Sequence, residues 1–224
     1  MTQNFDSQAL QDFIAHPIYD SFWQQFDQTK RQNLRDYPVV IVTGWYDIFL
    51  RESVNNFETL RINGSELTKN ESKLVISLSA HGSNNGAIQW PSDASFPSGY
   101  SELDFMESYM FKNNDSFKDL PRVAYYMMGD LENSTSLGNE WRYSEDWPVE
   151  SLKVPLYFYP NHTMFSQLPT TLEPSLSYLY DPRNPVPTLG GANLILPRGN
   201  HDQLPIEGRS DVQIFEFGPL EYPV

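Results

Sequence analysis

The sequence predicts an α/β unit followed by a partial β jelly-roll. Two aliphatic runs, residues 39–42 and 74–78, show no polar alternation, which is typical of parallel strands covered by helices on both faces. Residues 48–61 lie between them and carry apolar side chains at helical intervals, so the order is strand, helix, strand. Later in the chain, short strand-like pieces alternate with turn-rich loops, a pattern that favours a β-sandwich or jelly roll.

The N-terminal residues 6–34 are polar and rich in Gln, with apolar side chains near the helical period, and they predict two short helices broken at His16-Pro17. A third helix is expected near residues 102–111. The polar stretch 113–118 marks an expected domain boundary, with residues 38–118 in the α/β part and 119–224 in the jelly-roll part. Strand-like pieces beyond it are residues 123–128, 141–143, 156–159, 176–180 and 212–217.

The composition and charge of the chain limit the kinds of partner it can bind. With 224 residues, 39% of them hydrophobic, the chain should bury a sizeable core. Its 15 basic and 29 acidic residues give a formal charge of −14, which disfavours nucleic acid and anionic lipid surfaces as partners. We expect no membrane segment, because no run approaches the roughly 18 apolar residues that a spanning helix needs.

Cysteine is absent, which excludes disulfides, thiolate metal sites and a cysteine nucleophile. His16, His162 and His201 lack a second ligand at metal-binding spacing, so we expect no metal. Five Asn-x-Ser/Thr sequons are compatible with a secretory route. The first 15 residues show no secretory leader, and the compartment therefore stays open.

Asp47 and His81 each follow one of the two buried runs. In α/β-hydrolases the catalytic triad comes in the chain order nucleophile, acid, histidine, each on a loop after a strand. The pair therefore fits a triad acid and a general base. Two ordinary alternatives stay open: Asp47 could cap the following helix, and a lone histidine is more often a surface or core residue.

No Gly-x-Ser-x-Gly pentapeptide occurs in the chain, and only 46 residues precede Asp47. A serine nucleophile elbow is therefore missing. We expect a truncated or split part of a larger hydrolase, inactive in isolation, whose serine is supplied by other polypeptide. The alternative is a non-catalytic binding or scaffold protein.

A proline-rich segment and an aromatic group are two further features of the second half of the sequence. Residues 181–191 hold three prolines and a Gly pair, which predicts a rigid docking loop without a reactive group. An aromatic group between residues 141 and 159 could stack on sugars or peptides, although alternating aromatics on strands are more often core. Its members are Trp141, Tyr143, Trp147, Tyr157, Phe158 and Tyr159.

Several motifs together resemble the CocE/NonD family of hydrolases, which includes serine-type Xaa-Pro dipeptidyl peptidases. The similar segments are His16-Pro-Ile-Tyr-Asp-Ser-Phe-Trp23, Gly44-Trp-Tyr-Asp-Ile-Phe49, His81-Gly82, Arg122-Val-Ala-Tyr-Tyr-Met-Met-Gly129, Trp141, Trp147-Pro148, Tyr180-Asp-Pro-Arg-Asn-Pro-Val-Pro-Thr-Leu-Gly-Gly191, Asp202-Gln203 and Arg209-Ser-Asp-Val212. The Pro-Val-Pro-Thr-x-Gly-Gly stretch is the most specific of these.

The resemblance implies that Asp47 is the triad acid and His81 the base of a serine hydrolase that cleaves small esters or amides, without a cofactor. It also implies that residues 1–37 are the remnant of a helical cap and that residues 119–224 form a partial, galactose-binding-like jelly roll. A complementing N-terminal fragment is the implied partner, and the oligomeric state is open. One departure is Ser77-Leu78-Ser79, where the family usually has Gly-Pro-Trp.

Overall fold

The computed structural model describes residues 7–82, 86–91, 94–112, 114–133, 137–170 and 174–218. Its helices are α1 (Gln8–Ala15), α2 (Ser21–Gln24), α3 (Leu50–Asn63), α4 (Glu66–Glu71), α5 (Glu102–Met106) and α6 (Leu204–Glu207), with a 3₁₀ segment at Gln28–Leu34 and a π-helical turn at Glu107–Phe111. Its strands are β1 (Val40–Tyr46), β2 (Lys73–Ala80), β3 (Val123–Met127), β4 (Glu140–Ser144), β5 (Tyr157–Phe158) and β6 (Met164–Phe165).

The main sheet has four strands in the order β1-β2-β3-β4. The first three strands are parallel, and β4 runs antiparallel to β3. Leu74 of β2 pairs with Ile41 on one side and with Val123 on the other. The predicted order of strand, helix and strand is therefore confirmed as part of a mixed α/β fold.

Both faces of β2 are covered, which explains why its sequence shows no polar alternation. Leu74 and Ile76 pack on one face in a cluster with Phe57 and Leu60 of α3. Val75 points to the opposite face, where it packs with Tyr100. Because successive side chains of a strand alternate between faces, a strand buried on both sides must be apolar at every position.

Strands β3 and β4 follow the boundary expected near residue 118, yet they lie in the sheet of β1 and β2. The expected boundary therefore falls between two strands of one sheet. Val123, Ala124 and Tyr126 are fully buried in that sheet. The sequence pattern identified these residues as strands but could not show which strand they pair with, since the pairing joins distant parts of the chain.

In the described residues after 150, regular strand pairing is limited to the antiparallel pair β5 and β6. The strand expected at residues 176–180 is wrong, because this segment has no ladder and its large apolar side chains are exposed. The strand expected at residues 212–217 is reduced to one bridge between Glu216 and Thr163. An apolar run without a partner strand leaves its backbone groups to solvent.

The N-terminal helices break at the predicted place. Ser7 caps α1, and the side chain of Asp20 caps α2 by accepting a hydrogen bond from the amide of Phe22. The indole of Trp23 donates to the carbonyl of His16 at 2.7 Å and closes the turn between the two helices. Within the described part of the chain, no helix is long and apolar enough to cross a membrane.

Candidate active site

Asp47 lies in the turn directly after β1. Its backbone amide donates to the carbonyl of Gly44 at 2.9 Å, and its carbonyl accepts from the amide of Leu50 at 3.1 Å. Its Oδ1 accepts from the amide of Phe49 at 2.9 Å. Helix α3 begins at Leu50, with Phe49 in the N-cap position and without a side-chain cap. Asp47 therefore stabilises the turn before the helix but is not its N-cap residue.

His81 follows β2 at the same edge of the sheet. The backbone pairing of Tyr46 with Ala80 places the next residue of each strand side by side. The His81 Nδ1 lies 3.3 Å from Oδ1 of Asp47 and 3.4 Å from Oδ2. The Asp47 side chain is 15% exposed and that of His81 is 44% exposed. The two residues singled out in the sequence are thus in contact.

An irregularity in β1 and β2 produces this alignment. Gly44 pairs with Ser77, but Tyr46 pairs with Ala80, so β2 carries one more residue than β1 between the two pairs. A Cβ atom on Gly44 would lie 1.9 Å from the carbonyl oxygen of Ser79. Only glycine therefore fits there, as is common at β-bulges. The aliphatic run predicted from the sequence ends at residue 42, whereas β1 continues through Gly44 to Tyr46.

The aromatic ring of Phe49 approaches the His81 imidazole edge to face, with ring centroids 5.2 Å apart. Phe49 is roughly half exposed. Since it also binds the Asp47 carboxylate through its backbone amide, a single residue contacts both members of the pair. In the sequence, this role of Phe49 was indicated only by its position two residues after Asp47.

A cavity of about 450 Å³ lies beside the pair. Its lining comes from the ends of β1 and β2 and from the loop after His81, and consists of Val42, Thr43, Asp47, Ser77, Leu78, Ser79, Ala80, His81, Gly82, Ala94, Ser95 and Phe96. The Ser77 hydroxyl donates to the carbonyl of Thr43 at 3.2 Å and lies 2.7 Å from the Ser79 hydroxyl. None of the hydrogen bonds described for these two serines reaches His81.

The remaining histidines do not line this cavity. His16 Nδ1 is 2.7 Å from Asp20 in the N-terminal segment, and His162 donates from Nδ1 to the carbonyl of Ile214. In the residues that the structure describes, no group of three His, Asp or Glu side chains could hold a metal ion.

The aromatic group between residues 141 and 159, for which the core was the favoured role and stacking the alternative, is divided by the sheet. Trp141 packs on the face of Val75, and Trp147 packs in the cluster of Ile41 and Leu74 on the other face. Phe158 pairs with Phe215, away from both. The structure therefore does not bring these aromatics into one surface, and Trp141 and Trp147 serve the core.

In chemical terms, a carboxylate at Nδ1 of a histidine can accept the Nδ1 proton, fix the tautomer and stabilise the imidazolium. The other ring nitrogen can then act as an acceptor for a proton of the reacting group. The contact is longer than the usual hydrogen bond of about 2.9 Å.

Comparison with known proteins points to one family. The family model described as X-Pro dipeptidyl-peptidase (S15 family) matches residues 1–83, a range that contains both Asp47 and His81. Cocaine esterase from Rhodococcus sp. (strain MB1 Bresler) is 28% identical over 234 residues, covering 96% of this chain and 38% of that protein. A CocE/NonD family hydrolase structure from Staphylococcus aureus aligns with a TM-score of 0.46 and 20% identity over 72% of this chain and 26% of its own.

The chain thus spans 38% of the length of its curated relative. The family-model match covers the segment from the N-terminal helices to the histidine, and the alignment with the esterase extends along nearly the whole chain. These two matches show that residues 1–83 are similar to the X-Pro dipeptidyl-peptidase (S15) family and that the chain as a whole is similar to a hydrolase, cocaine esterase.

Proposed function

We propose that this chain carries the acid and the base of a serine hydrolase, Asp47 and His81, and acts on a serine supplied by polypeptide outside residues 1–224. The observation that carries the proposal is the 3.3 Å approach of His81 Nδ1 to the Asp47 carboxylate at the ends of two parallel strands. The match to the S15 family model supports it, because the matched segment contains both residues. The chain itself contains no Gly-x-Ser-x-Gly sequence.

The reaction needs two acyl transfers. His81 removes the proton of the serine hydroxyl as its oxygen attacks the substrate carbonyl, and returns that proton to the leaving alcohol or amine. An acyl-enzyme remains. His81 then deprotonates water, which attacks the ester, and the proton passes back to the serine oxygen as the acid product leaves. Asp47 holds the Nδ1 proton and stabilises the imidazolium in both steps. No metal or organic cofactor is needed for this chemistry.

The substrate class is a small ester or an amide, including peptides with proline in the second position. The names of the two relatives support both types, since one is an X-Pro dipeptidyl-peptidase and the other an esterase. The cavity beside the pair is lined by apolar Val42, Leu78 and Phe96 and by hydroxyl groups. Such a lining suits an uncharged acyl group.

The partner of this unit is polypeptide that carries the nucleophile and continues the sheet. Among the described strands, β1 pairs with β2 alone, so its other edge has no strand partner there. Val42 in the middle of β1 is half exposed. Open edges and exposed apolar strand residues are normally covered, and a complementing N-terminal fragment would cover both.

The segments before and after the sheet are assigned to two further structural units. We infer that residues 1–37 are the remnant of a helical cap, which the short helices α1 and α2 support. The segment that follows the sheet is assigned to a partial jelly roll, supported by its antiparallel pair β5 and β6 and its turn-rich sequence.

The experiment is a labelling and hydrolysis assay. The chain is co-expressed with the Gly-x-Ser-x-Gly region of a family member, and a fluorophosphonate probe, a p-nitrophenyl ester and an Xaa-Pro p-nitroanilide are tested on the assembly and on the chain alone. We expect activity in the assembly and near-background activity in the chain. His81→Ala and Asp47→Asn should each reduce kcat by about 10³-fold or more.

The matched control is His162→Gln, a histidine far from the cavity, which should leave kcat unchanged. Activity in the His81→Ala assembly equal to that of the unmodified assembly would refute the proposal. Tight carbohydrate or protein binding by the chain, without any labelling of an assembly, would favour a non-catalytic scaffold instead.

A further inference from the structure

A loop near the C-terminal end of the described chain, residues 190–201, is closed on itself by glycines. Gly191 and Gly199 exchange two backbone hydrogen bonds of 2.7 and 3.0 Å. Gly190 has a φ of +69°, and a Cβ atom on it would lie 2.6 Å from the carbonyl of Gly199. We call residues 190–201 the C-terminal loop. Its closed form uses the Gly pair of the predicted docking loop, because Gly190 and Gly191 both have positive φ angles.

Asn200 of this loop binds the segment that follows His81. Its backbone carbonyl accepts from the amide of Ala87 at 2.8 Å, and its side-chain Oδ1 accepts from the amide of Ile88 at 3.3 Å. Asn200 is only 2% exposed. One buried residue therefore binds two successive backbone amides of the segment 86–88.

Gly86 allows this approach. It forms a bridge with Asn200, has a φ of +84°, and a Cβ atom on it would lie 2.2 Å from the Asn200 carbonyl oxygen. The Arg198 side chain lies near Gly82, because a Cβ atom built on Gly82 would be 3.6 Å from the guanidinium. The C-terminal loop thus binds residues 86–88 and places Arg198 near the residue after His81.

The contacts of the C-terminal loop matter for the orientation of the His81 ring. His81 is 44% exposed, and the polar contact described for its ring is the long one to Asp47. That contact is long for a hydrogen bond, so its geometry depends on the position of the His81 backbone. The orientation of the ring therefore depends on what fixes the loop that carries it.

We propose that Asn200 is a positioning residue: by binding residues 86–88, in the loop whose Arg198 lies near Gly82, it helps to keep the His81 imidazole in register with Asp47. This inference rests on the proposed function for its catalytic meaning, but the structural coupling it describes can be measured without hydrolysis. It gives the C-terminal part of the chain a role in the geometry of the Asp47–His81 pair.

The test combines two NMR measurements on the full chain. Amide hydrogen exchange of Ala87 and Ile88 reports the contact, and imidazole ¹⁵N shifts report the His81 tautomer. Asn200→Ala removes the acceptor of the Ile88 amide, and Gly86→Ala forces the two segments apart. The matched control is Gly208→Ala, where a Cβ meets nothing within 4 Å.

We expect Asn200→Ala to speed exchange of the Ile88 amide about tenfold, the loss of roughly one hydrogen bond, and to reduce the Nδ1–H form of His81. Gly86→Ala should do the same at both amides, while the His16 and His162 signals stay in place. If Gly86→Ala fails to fold, Asn200→Ala alone decides the matter.

Faster exchange with an unchanged His81 spectrum would overturn the proposal, and so would unchanged exchange in both variants. An equal change of His81 in Gly208→Ala would also overturn it, since the effect would then be general. A response of His81 in a chain whose assembly proves inactive would refute only the proposed function.

Discussion

The indole N–H of Trp45 donates a hydrogen bond of 2.7 Å to the backbone carbonyl of Tyr126. Trp45 lies near the end of β1 and Tyr126 in β3, so the bond reaches across β2, which lies between them. Trp45 also packs against Trp147, with ring centroids 6.2 Å apart. The turn that carries Asp47 is therefore fixed to the third strand as well as to the second.

Trp45→Phe tests this bond. The variant keeps an aromatic ring in the cluster but leaves the Tyr126 carbonyl without its indole donor, and we expect unfolding in urea to show a loss of about 1 kcal/mol. Trp147→Phe is the control, because it replaces the indole that packs against Trp45 with a smaller ring and leaves the bond from Trp45 to Tyr126 in place. A smaller loss in Trp45→Phe than in the control would contradict the role assigned to the bond.

Gly44→Ala tests the irregular pairing that aligns Asp47 with His81. The added Cβ would lie 1.9 Å from the carbonyl oxygen of Ser79, so either the strands separate or the pairing shifts. We expect a loss of about 3 kcal/mol or more in the free energy of unfolding, measured by denaturant titration. Gly208→Ala provides the control, where no neighbour is met. Equal stability of the two variants would show that β1 and β2 do not pair in this register.

Lys73 is a buried cation at the start of β2. Its Nζ donates to the carbonyls of Lys118 and Leu120, and the side chain is almost fully inaccessible to solvent. Burial lowers the pKa of Lys73 below its ordinary value of 10.5. A lysine whose pKa is lower in the folded state binds its proton more weakly there than in the unfolded chain.

Stability should consequently rise with pH between the lowered pKa of folded Lys73 and 10.5, because the unfolded chain holds more protons in that window. Lys73→Met should remove this rise, and the exposed Lys153→Met should keep it. The measurement is urea unfolding of the three proteins at several alkaline pH values. The same slope in Lys73→Met and the unmodified chain would contradict the burial effect.

The sequence predicted much of the sheet because its signals are local. The unbroken aliphatic runs at residues 39–42 and 74–78 correspond to β1 and β2, and the helical period of residues 48–61 corresponds to α3. The approach of Asp47 to His81 also followed from a simple rule, since residues after neighbouring parallel strands meet at one edge of the sheet.

Other features depend on long-range contacts and left no local signal. Residues 123–127 join the sheet of β1 and β2 although a polar stretch separates them from it. The extra residue opposite Gly44 is visible only when both strands are aligned. The contact of Asn200 with the loop after His81 joins positions more than 100 residues apart, so neither periodicity nor spacing could predict it.

The most direct test of the central claim is the protonation of the His81 imidazole, read from its ¹⁵N NMR shifts in the unmodified chain and in Asp47→Asn. We predict that neutral His81 carries its proton on Nδ1, because the Asp47 carboxylate accepts it, and that Asp47→Asn moves the proton to Nε2, because the carboxamide can donate to Nδ1. A His81 that carries its proton on Nε2 in both proteins would contradict the pairing of acid and base on which the account depends.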